Sequence, residues 1–169
     1  FIQIADAPRS SIDIETDAFF HSNGNVTIAS PGRVRFGSVG FLAADVFLSE
    51  DSSTHLDGSA AQSLVVESVQ RITQSGIDTG SGIFDLEIAG DVQLDLSDAP
   101  GEVYLMRRST DPPTSVSDSS LSNNRFHGVV TVQGISGNVE LRNISSTATV
   151  GTLSGAIADL RIWHSNSDV

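Results

Sequence analysis

Acidic side chains spaced to share one strand face are the first feature that could do chemistry. Asp13, Glu15 and Asp17 alternate with other residues, so a strand would project all three the same way. Such a cluster could bind Ca²⁺, which takes roughly six to eight oxygen ligands. The same spacing also describes the solvated face of an ordinary strand, and we favour that interpretation. The oxygen-rich segment 50–58 lacks the spacing of a calcium loop, so no cofactor is predicted and calcium is an unsupported alternative.

Carboxylates on neighbouring strands are the second candidate, because glycoside hydrolysis uses two of them about 5 to 9.5 Å apart. Asp95 and Asp98 could lie beside Glu102 or Asp13. However, Asp98 begins an Asp-Ala-Pro sequence that recurs at Asp6, and an Asp at a turn is explained by bonds from its side chain to the backbone. We therefore predict that the chain is not an enzyme. A carbohydrate-active β-helix enzyme, either a polysaccharide lyase or a hydrolase, is the alternative function.

Other catalytic and metal-binding patterns are missing from the sequence. The four histidines are scattered, and there is no cysteine for a thiolate zinc site or a disulfide. There is no Gly-x-Ser-x-Gly elbow and no phosphate-binding loop. Tyr104 and Trp163 fall on outward strand positions. There they could serve as sugar platforms, as lateral contacts or as ordinary surface aromatics, and we favour the last.

The composition suits a soluble exported protein, in which like charge prevents aggregation. The 169 residues carry 21 acidic side chains and 9 basic ones, all of them Arg, for a net charge of −12. Nucleic acids and anionic membranes need basic contacts, so neither is predicted as a partner. No run of about 18 apolar residues is present to span a membrane. The chain begins at Phe1 rather than Met, which indicates a processed protein or a fragment.

Short stretches of alternating apolar and polar residues dominate the chain and predict β-strands. Each stretch puts two or three aliphatic side chains on one face, and turn residues separate it from the next. The stretch 59–68 is the best helix candidate, but its adjacent valines are β-branched and favour a strand. The alternating stretches are 12–14, 26–28, 34–36, 46–48, 86–88, 92–96, 103–105, 130–132, 139–141 and 160–162. The predicted fold class is therefore all-β.

Internal repeats favour a β-solenoid over a sandwich or a barrel. The matching segments are 24–28 with 137–141, 36–39 with 150–153, and 44–48 with 158–162. Equivalent aliphatic residues recur after about 20 residues, from Val26 to Val46 and from Val139 to Leu160. This spacing suits the coil of a solenoid, in which each coil contacts only its neighbours. We predict a single domain, residues 1–169, of about eight stacked parallel coils.

The two ends of the sequence read as one continuous pattern. Residues 168–169 followed by 1–8 give Asp-Val-x-aliphatic-x-aliphatic-x-Asp-Ala-Pro, which is also the pattern of residues 91–100. The coil pattern would thus continue from one copy of the chain into another, and the sequence leaves open whether the link is covalent. We predict end-to-end stacking of copies through a contact surface of Phe1, Ile2, Ile4, Trp163 and Val169.

A polar segment at about 107–124 interrupts the series of alternating stretches and predicts a loop insertion. It contains two of the five prolines and few apolar residues. A tolerated insertion is the favoured interpretation. The alternative is a lateral contact, between fibres or with a ligand, through Arg107, Arg108, Asp111, Pro112 and Pro113.

Several of these segments resemble the repeats of large secreted bacterial proteins of the filamentous haemagglutinin type. The resemblance rests on residues 72–76 with 90–94, and on residues 124–132, 137–141 and 150–153. It implies a right-handed parallel β-solenoid, extracellular or at the cell surface, that acts as an adhesin, stalk or matrix fibre. The implied partners are copies of the chain itself and glycans of the cell surface or matrix. A viral tail-spike segment is a further alternative.

Overall fold

The computed structural model of the chain describes residues 2–4, 11–29, 33–50, 53–56, 58–74, 85–106, 122–145 and 149–164. These residues form seventeen β-strands and no helix. The strands are β1 (Ile2–Ile4), β2 (Ile12–His21), β3 (Val26–Ile28), β4 (Val34–Leu42), β5 (Asp45–Ser49), β6 (Thr54–Leu56), β7 (Ser59–Ala61), β8 (Ser63–Ser68), β9 (Arg71–Gln74), β10 (Leu86–Ile88), β11 (Val92–Leu96), β12 (Glu102–Leu105), β13 (Arg125–Phe126), β14 (Val129–Ile135), β15 (Asn138–Asn143), β16 (Thr149–Gly155) and β17 (Asp159–His164). All ten alternating stretches lie within strands, and the stretch 59–68 forms β7 and β8, so these predictions are confirmed.

The strands belong to two sheets, and the chain alternates between them. The first sheet has the order β1-β3-β5-β8-β11-β14-β16. The second has the order β13-β10-β7-β4-β6-β9-β12-β15-β17, with β2 paired to β4 outside this path. Neighbouring strands are parallel in both sheets, because the chain passes through the other sheet before it returns to pair with an earlier strand. The prediction of an all-β fold with parallel strands is confirmed.

The second sheet divides at β4. Val39 of β4 pairs with Leu56 of β6, whereas Leu42 of the same strand pairs with Ala60 of β7. From there a long arm runs β6-β9-β12-β15-β17, and a short arm runs β7-β10-β13. The long strand β2 lies along β4 from one end to the other. Between two strands of the first sheet the chain passes from the long arm to the short arm at β6 and β7, at β9 and β10, and at β12 and β13.

The predicted spacing of about 20 residues corresponds to direct pairing between neighbouring strands. Val26 pairs with Val46 in the first sheet, and Val139 pairs with Leu160 in the second. The separation is 20 residues at the first of these steps and 21 at the second. It reaches 38 residues where the segment 107–121 intervenes. Strand neighbours are thus set by a near-constant chain length, to which insertions are added without changing the pairing.

Inward side chains stack in apolar columns between the two sheets. One column of the first sheet runs through Val26, Val46, Leu64, Val92 and Val130, each paired directly with the next. All five are almost completely buried. Parallel strands in register place equivalent inward residues next to each other, so one aliphatic position per strand builds the whole column. Full burial of such a side chain contributes roughly 1.5–3 kcal/mol relative to exposure.

The matched repeat segments occupy opposite sheets, which the sequence did not indicate. Residues 24–28 lead into β3 of the first sheet, whereas residues 137–141 lead into β15 of the second. The reason is that strands of both sheets begin under the same constraint. A Cβ added at Gly90, before β11, would lie 2.5 Å from the Gln62 carbonyl oxygen, and one added at Gly137 would lie 2.6 Å from the Pro100 carbonyl oxygen. Only glycine fits where the backbone of the preceding passage lies so close.

Buried polar side chains line the corner where the chain passes from the long arm to the short arm. Asn124 is fully buried, and its Oδ1 accepts a hydrogen bond from the Leu86 amide at 3.0 Å. Its Nδ2 donates to Gln74 Oε1 at 2.8 Å and to the Leu105 carbonyl at 2.9 Å. Asn143 bonds in the same way to the backbone of β13. Side-chain amides therefore bond buried backbone groups of β10, β12 and β13 at this corner.

The last three residues of the predicted loop at about 107–124 lie at this corner. Residues 107–121 lie outside the described residues, and with them the candidate lateral contacts Arg107, Arg108, Asp111, Pro112 and Pro113. Residues 122–124 are described, and the prediction of a protruding loop was wrong for Ser122 and Asn124, whereas Asn123 is exposed. Ser122 and Asn124 are fully buried, and the Ser122 amide donates to the Met106 carbonyl at 3.0 Å. Small polar residues are typical of loops, but here they complete hydrogen bonds inside the fold.

Candidate functional site

The two ends of the strand stack are the candidate functional site. We call β1 with β2 the N-terminal end, and β16 with β17 the C-terminal end. Among the described residues, β1 and β2 have only β3 and β4 as strand partners, and β16 and β17 have only β14 and β15. Each end therefore presents strand edges that a further strand could join.

Core positions at the C-terminal end are exposed. Leu160 and Ile162 of β17 pair with Val139 and Leu141 of β15. The two β15 residues are 0% and 3% exposed, whereas Leu160 is 45% exposed and Ile162 is 43% exposed. All four side chains occupy the same inward columns, and the difference arises because no further strand of the described residues pairs with β17. The end of the hydrophobic core is open to solvent here.

The N-terminal end shows the same feature. Ile14 of β2 pairs with Phe36 of β4, which is 7% exposed, but Ile14 itself is 36% exposed. Phe20, also on β2, packs its ring against Phe36 and Phe41 with centroid distances of 5.8 Å, and it too is only partly buried. Both ends of the core thus consist of large apolar side chains that are partly covered.

Opposite charges stand beside the exposed core at the two ends. Arg161 of β17 is half-exposed, and its Nη1 and Nη2 lie 3.1 Å from Glu140 and 3.0 Å from Asp159. Asp13 of β2 is also exposed and lies 3.5 Å from Arg33. Arg161 and Asp13 both occupy outward positions between two inward aliphatic residues. A cation therefore marks the C-terminal edge at the position where an anion marks the N-terminal edge.

The predicted contact residues fall at these ends as far as they are described. Ile2 and Ile4 belong to β1, where they pair with β3, and Trp163 belongs to β17, where its backbone pairs with β15. Phe1 and Val169 lie outside the described residues. The end-to-end contact itself stays a prediction. The sequence did not single out Ile14, Leu160 and Ile162, because their strands look like any other until the strand order shows that they are terminal.

A polar network on the outer face of the second sheet surrounds Tyr104. Its ring faces outward, as predicted, but it is only 7% exposed, so the interpretation as a surface aromatic was wrong. Arg71 lies 5.9 Å from the ring centroid and 2.7 Å from Glu102, and Asn138 Nδ2 donates to the phenolic oxygen at 3.2 Å. Burial raises the pKa of the Tyr104 phenol above its ordinary value. Long side chains on the adjacent strands β9 and β15 cover the ring and leave no open platform for a sugar.

The carboxylates considered for catalysis are divided between the two sheets. Asp95 on β11 pairs with Glu67 and Gln133 of the first sheet, whereas Glu102 on β12 pairs with Arg71 of the second. Asp98 accepts a hydrogen bond from the Ala99 amide at 2.8 Å, as predicted for an Asp at a turn.

The acidic run considered for calcium does not keep one alignment. Asp13 lies beside Arg33, and the pairing with β4 shifts register between Ile14 and Asp17. Within the ranges that the structure describes, no group of three or more His, Asp or Glu side chains is placed to hold a metal ion. The open ends of the strand stack therefore remain the feature with a distinct chemistry.

The part of the chain that the structure describes includes no helix with the length and hydropathy needed to cross a membrane. Comparison with protein-family models, with curated protein sequences and with solved structures finds no match to this chain.

Proposed function

We propose that the chain is a structural segment of an extracellular fibre, stalk or surface adhesin, in which copies stack end to end. The observation that carries the proposal is the exposure of core positions at both ends. Ile14, Leu160 and Ile162 belong to columns that are buried in the adjacent strands. Covering them would remove apolar surface from water, which is the main favourable contribution to association.

We infer that the strands are the coils of a parallel β-solenoid. Its support is the regular alternation between the two sheets and the recurring step of about 20 residues. The passage from one arm of the second sheet to the other suits a cross-section with three sides. With one strand of the first sheet per coil, the seven strands of that sheet would give seven coils and a rod of roughly 34 Å. The right-handed twist and the cell-surface location are expectations from the resemblance to filamentous haemagglutinin-type proteins.

The continuous pattern of the sequence ends supports the same proposal. That pattern equates residues 2–4 with residues 94–96, and both segments lie in strands of the first sheet, β1 and β11. The pairing register places Ile2 in the column of Val92 and Ile4 in that of Leu94, so the match supports the choice of sheet but differs from the register by two residues. After β17, which belongs to the second sheet, a regularly alternating chain would enter the first sheet again. The strand β1 of a following copy would supply that entry, so the order of the sheets is unbroken from one copy to the next.

The proposed contact joins two different surfaces, the C-terminal end of one copy and the N-terminal end of the next. A head-to-tail contact without rotation to closure generates an open filament and not a closed ring. The net charge of −12 opposes side-by-side association of such filaments. This combination favours growth along one axis.

The two alternative functions would require other features of the chain, namely free carboxylates for an enzyme and a side-by-side contact for a viral tail-spike. For a carbohydrate-active enzyme the outer carboxylates would have to act as acid and base, but Glu102 and Glu140 lie 2.7 Å and 3.1 Å from Arg71 and Arg161. Such ion pairs serve to connect neighbouring strands. A viral tail-spike segment would associate side by side, as trimers of fixed size, and not along the stack.

Electron microscopy and sedimentation velocity of the purified chain at increasing concentration test the proposal. We expect rods that lengthen along one axis with a repeat of roughly 34 Å. Ile162→Asp should suppress this growth, because it places a charge in the open core. Val65→Asp is the control, since Val65 is a partly exposed outward residue of β8, in the middle of the first sheet. Compact monomers at every concentration would refute the proposal, trimers of fixed size would favour the tail-spike alternative, and cleavage of a polysaccharide would favour the enzyme.

A further inference from the structure

We propose that stacked copies meet in a single register, in which β17 of one copy pairs in parallel with β2 of the next and Arg161 stands opposite Asp13. This inference rests on the proposed end-to-end stacking and adds to it the partner surface of each residue. It follows from the alternation of inward and outward side chains on the two strands, from their charges and from the spacing along the chain.

The alternation of inward and outward side chains restricts the contact between β17 and β2 to a few registers. Leu160 and Ile162 face inward on β17, as Ile12 and Ile14 do on β2, where they pair with the buried residues of β15 and β4. A shift by one residue would turn every inward side chain of the incoming strand outward. Only shifts by an even number of residues therefore continue the core from one copy into the next.

Charge selects among the remaining registers. With Leu160 opposite Ile12, the next outward pair is Arg161 opposite Asp13, so Arg161 would lie between Glu140 of its own copy and an aspartate of the next. A shift by two residues in one direction would place Arg161 opposite Glu15 but also Asp159 opposite Asp13, and like charges in directly opposed positions are destabilising.

A shift by two residues in the other direction leaves Arg161 without an opposed carboxylate on β2. It would place Arg161 opposite the uncharged Ser11 and would leave Ile14 beyond the inward residues Leu160 and Ile162. The register with Arg161 opposite Asp13 is thus the one that matches both the apolar and the charged positions.

The chain length between the strands agrees with this register. In a direct fusion of two copies, Ile12 of the second copy follows Leu160 of the first by 21 residues. The pair Val139 and Leu160 within one copy has the same separation. A fused junction therefore needs no added linker and leaves no surplus chain, and the same surfaces are available to separate copies.

Disulfide trapping between single-cysteine variants tests the register, because the chain has no cysteine of its own. In the proposed register Asp159 stands opposite Ser11, at the spacing of about 4.8 Å between paired strands, which a disulfide can bridge. A shift by two residues would move the two Cα atoms more than about 7 Å apart, beyond its reach. We expect Ser11→Cys mixed with Asp159→Cys to give cross-linked pairs on mild oxidation, in excess of either variant alone.

The register control is Asp13→Cys mixed with Asp159→Cys, which we expect to remain largely uncrosslinked. Preferential cross-linking of this control pair would overturn the proposed register while leaving end-to-end stacking intact. Absence of cross-links in both mixtures, with monomers in sedimentation velocity, would overturn the stacking as well. The two failures are therefore distinguishable.

Charge reversal tests the pairing of Arg161 with Asp13. Arg161→Glu, introduced beside Asp159→Cys, should lower the initial rate of cross-linking to Ser11→Cys by about three- to tenfold. Asp13→Arg on the Ser11→Cys partner should recover much of that rate. Arg125→Glu is the control of equal charge change, since Arg125 is exposed on β13, a strand of the short arm that pairs with neither β2 nor β17. An equal loss with Arg125→Glu, or no recovery with Asp13→Arg, would show that net charge and not the proposed pair governs the contact.

Discussion

A direct fusion of two copies allows the same substitution to be placed either at the junction or at a free end. Leu160→Ser with Ile162→Ser in the first copy changes the side chains that the second copy would cover. The same double substitution in the second copy changes side chains that remain exposed. Both fusions have the same composition and length, so their free energies of unfolding differ only through the junction.

The expected difference follows from the exposed fractions. Full burial of an exposed Leu or Ile contributes roughly 1.5–3 kcal/mol, and Leu160 and Ile162 retain 45% and 43% of their surface in the single chain. Covering the remainder is therefore worth about 0.7–1.3 kcal/mol for each, or about 1.5–2.5 kcal/mol for both. We expect the substitution at the junction to cost that much more than the substitution at the free end.

The same magnitude indicates how separate copies behave. Association costs roughly 4–15 kcal/mol in lost translational and rotational freedom, which exceeds the apolar gain from these two side chains. Backbone hydrogen bonds and the other end residues must contribute, and separate copies should associate weakly. A covalent fusion removes most of that cost, because the second contact becomes intramolecular.

Urea unfolding followed by far-ultraviolet circular dichroism measures the difference. The fusion should unfold in one transition with about twice the urea dependence of the single chain, because the slope scales with the surface exposed. Equal destabilisation by the junction and free-end substitutions would refute the reasoning, since it would show that the second copy leaves Leu160 and Ile162 uncovered. Two independent transitions, each like that of the single chain, would refute it as well.

Two further predictions concern the buried polar groups. Asn124→Ala should lower the free energy of unfolding by about 2–4 kcal/mol in urea titrations, because it leaves the buried Leu86 amide and Leu105 carbonyl without partners. The exposed neighbour is the control, and Asn123→Ala should change that free energy by less than about 0.5 kcal/mol. Tyr104 is the single tyrosine of the chain, so absorbance near the phenolate band should report a pKa above the ordinary 10.0, raised by burial. The contribution of the protonated Tyr104 phenol to the free energy of unfolding should be complete below pH 10 and should be lost as the pH rises through the raised pKa. Tyr104→Phe should remove this loss of stability at alkaline pH. A phenol that titrates at its ordinary pKa would contradict the burial of Tyr104.

The strands themselves could be predicted because their signal is local. The stretches 92–96 and 139–141 alternate with a period of two, and such alternation is needed wherever one face of a strand is buried. The separation of about 20 residues could also be recognised in the sequence. It corresponds to the direct pairing of Val26 with Val46 and of Val139 with Leu160. These features depend on residues that are close in sequence or equally spaced.

The assignment of strands to sheets could not be predicted. The segments that begin at Gly24 and Gly137 look alike, yet they lead into different sheets. Close backbone contacts at Gly90, before β11, and at Gly137, before β15, indicate that strands of both sheets begin under the same constraint. Likewise, the polar residues of the corner at Asn124 look like part of a loop, because the buried backbone groups that they bond belong to distant strands.

For the same reason, only part of the candidate site could be predicted from the sequence. The continuous pattern across the sequence ends pointed to Ile2, Ile4 and Trp163, all in strands at the ends of the stack. It did not point to Leu160 and Ile162, since an aliphatic residue on a terminal strand has the same sequence environment as one in the interior. Tyr104 was placed on the correct face, but its burial depends on Arg71 and Asn138 from adjacent strands.

The sequence by itself determined that this protein consists of short parallel-compatible strands with one apolar face each, separated by a near-constant length of chain. Those properties follow from alternation and repetition, which act over a few residues or at a fixed interval. The tertiary structure decided which strands share a sheet, which polar side chains are buried at the corner and which core columns end open at β2 and β17. These features depend on contacts with strands that are about 20 or more residues away in sequence. The sequence of a single strand does not indicate whether another strand covers it.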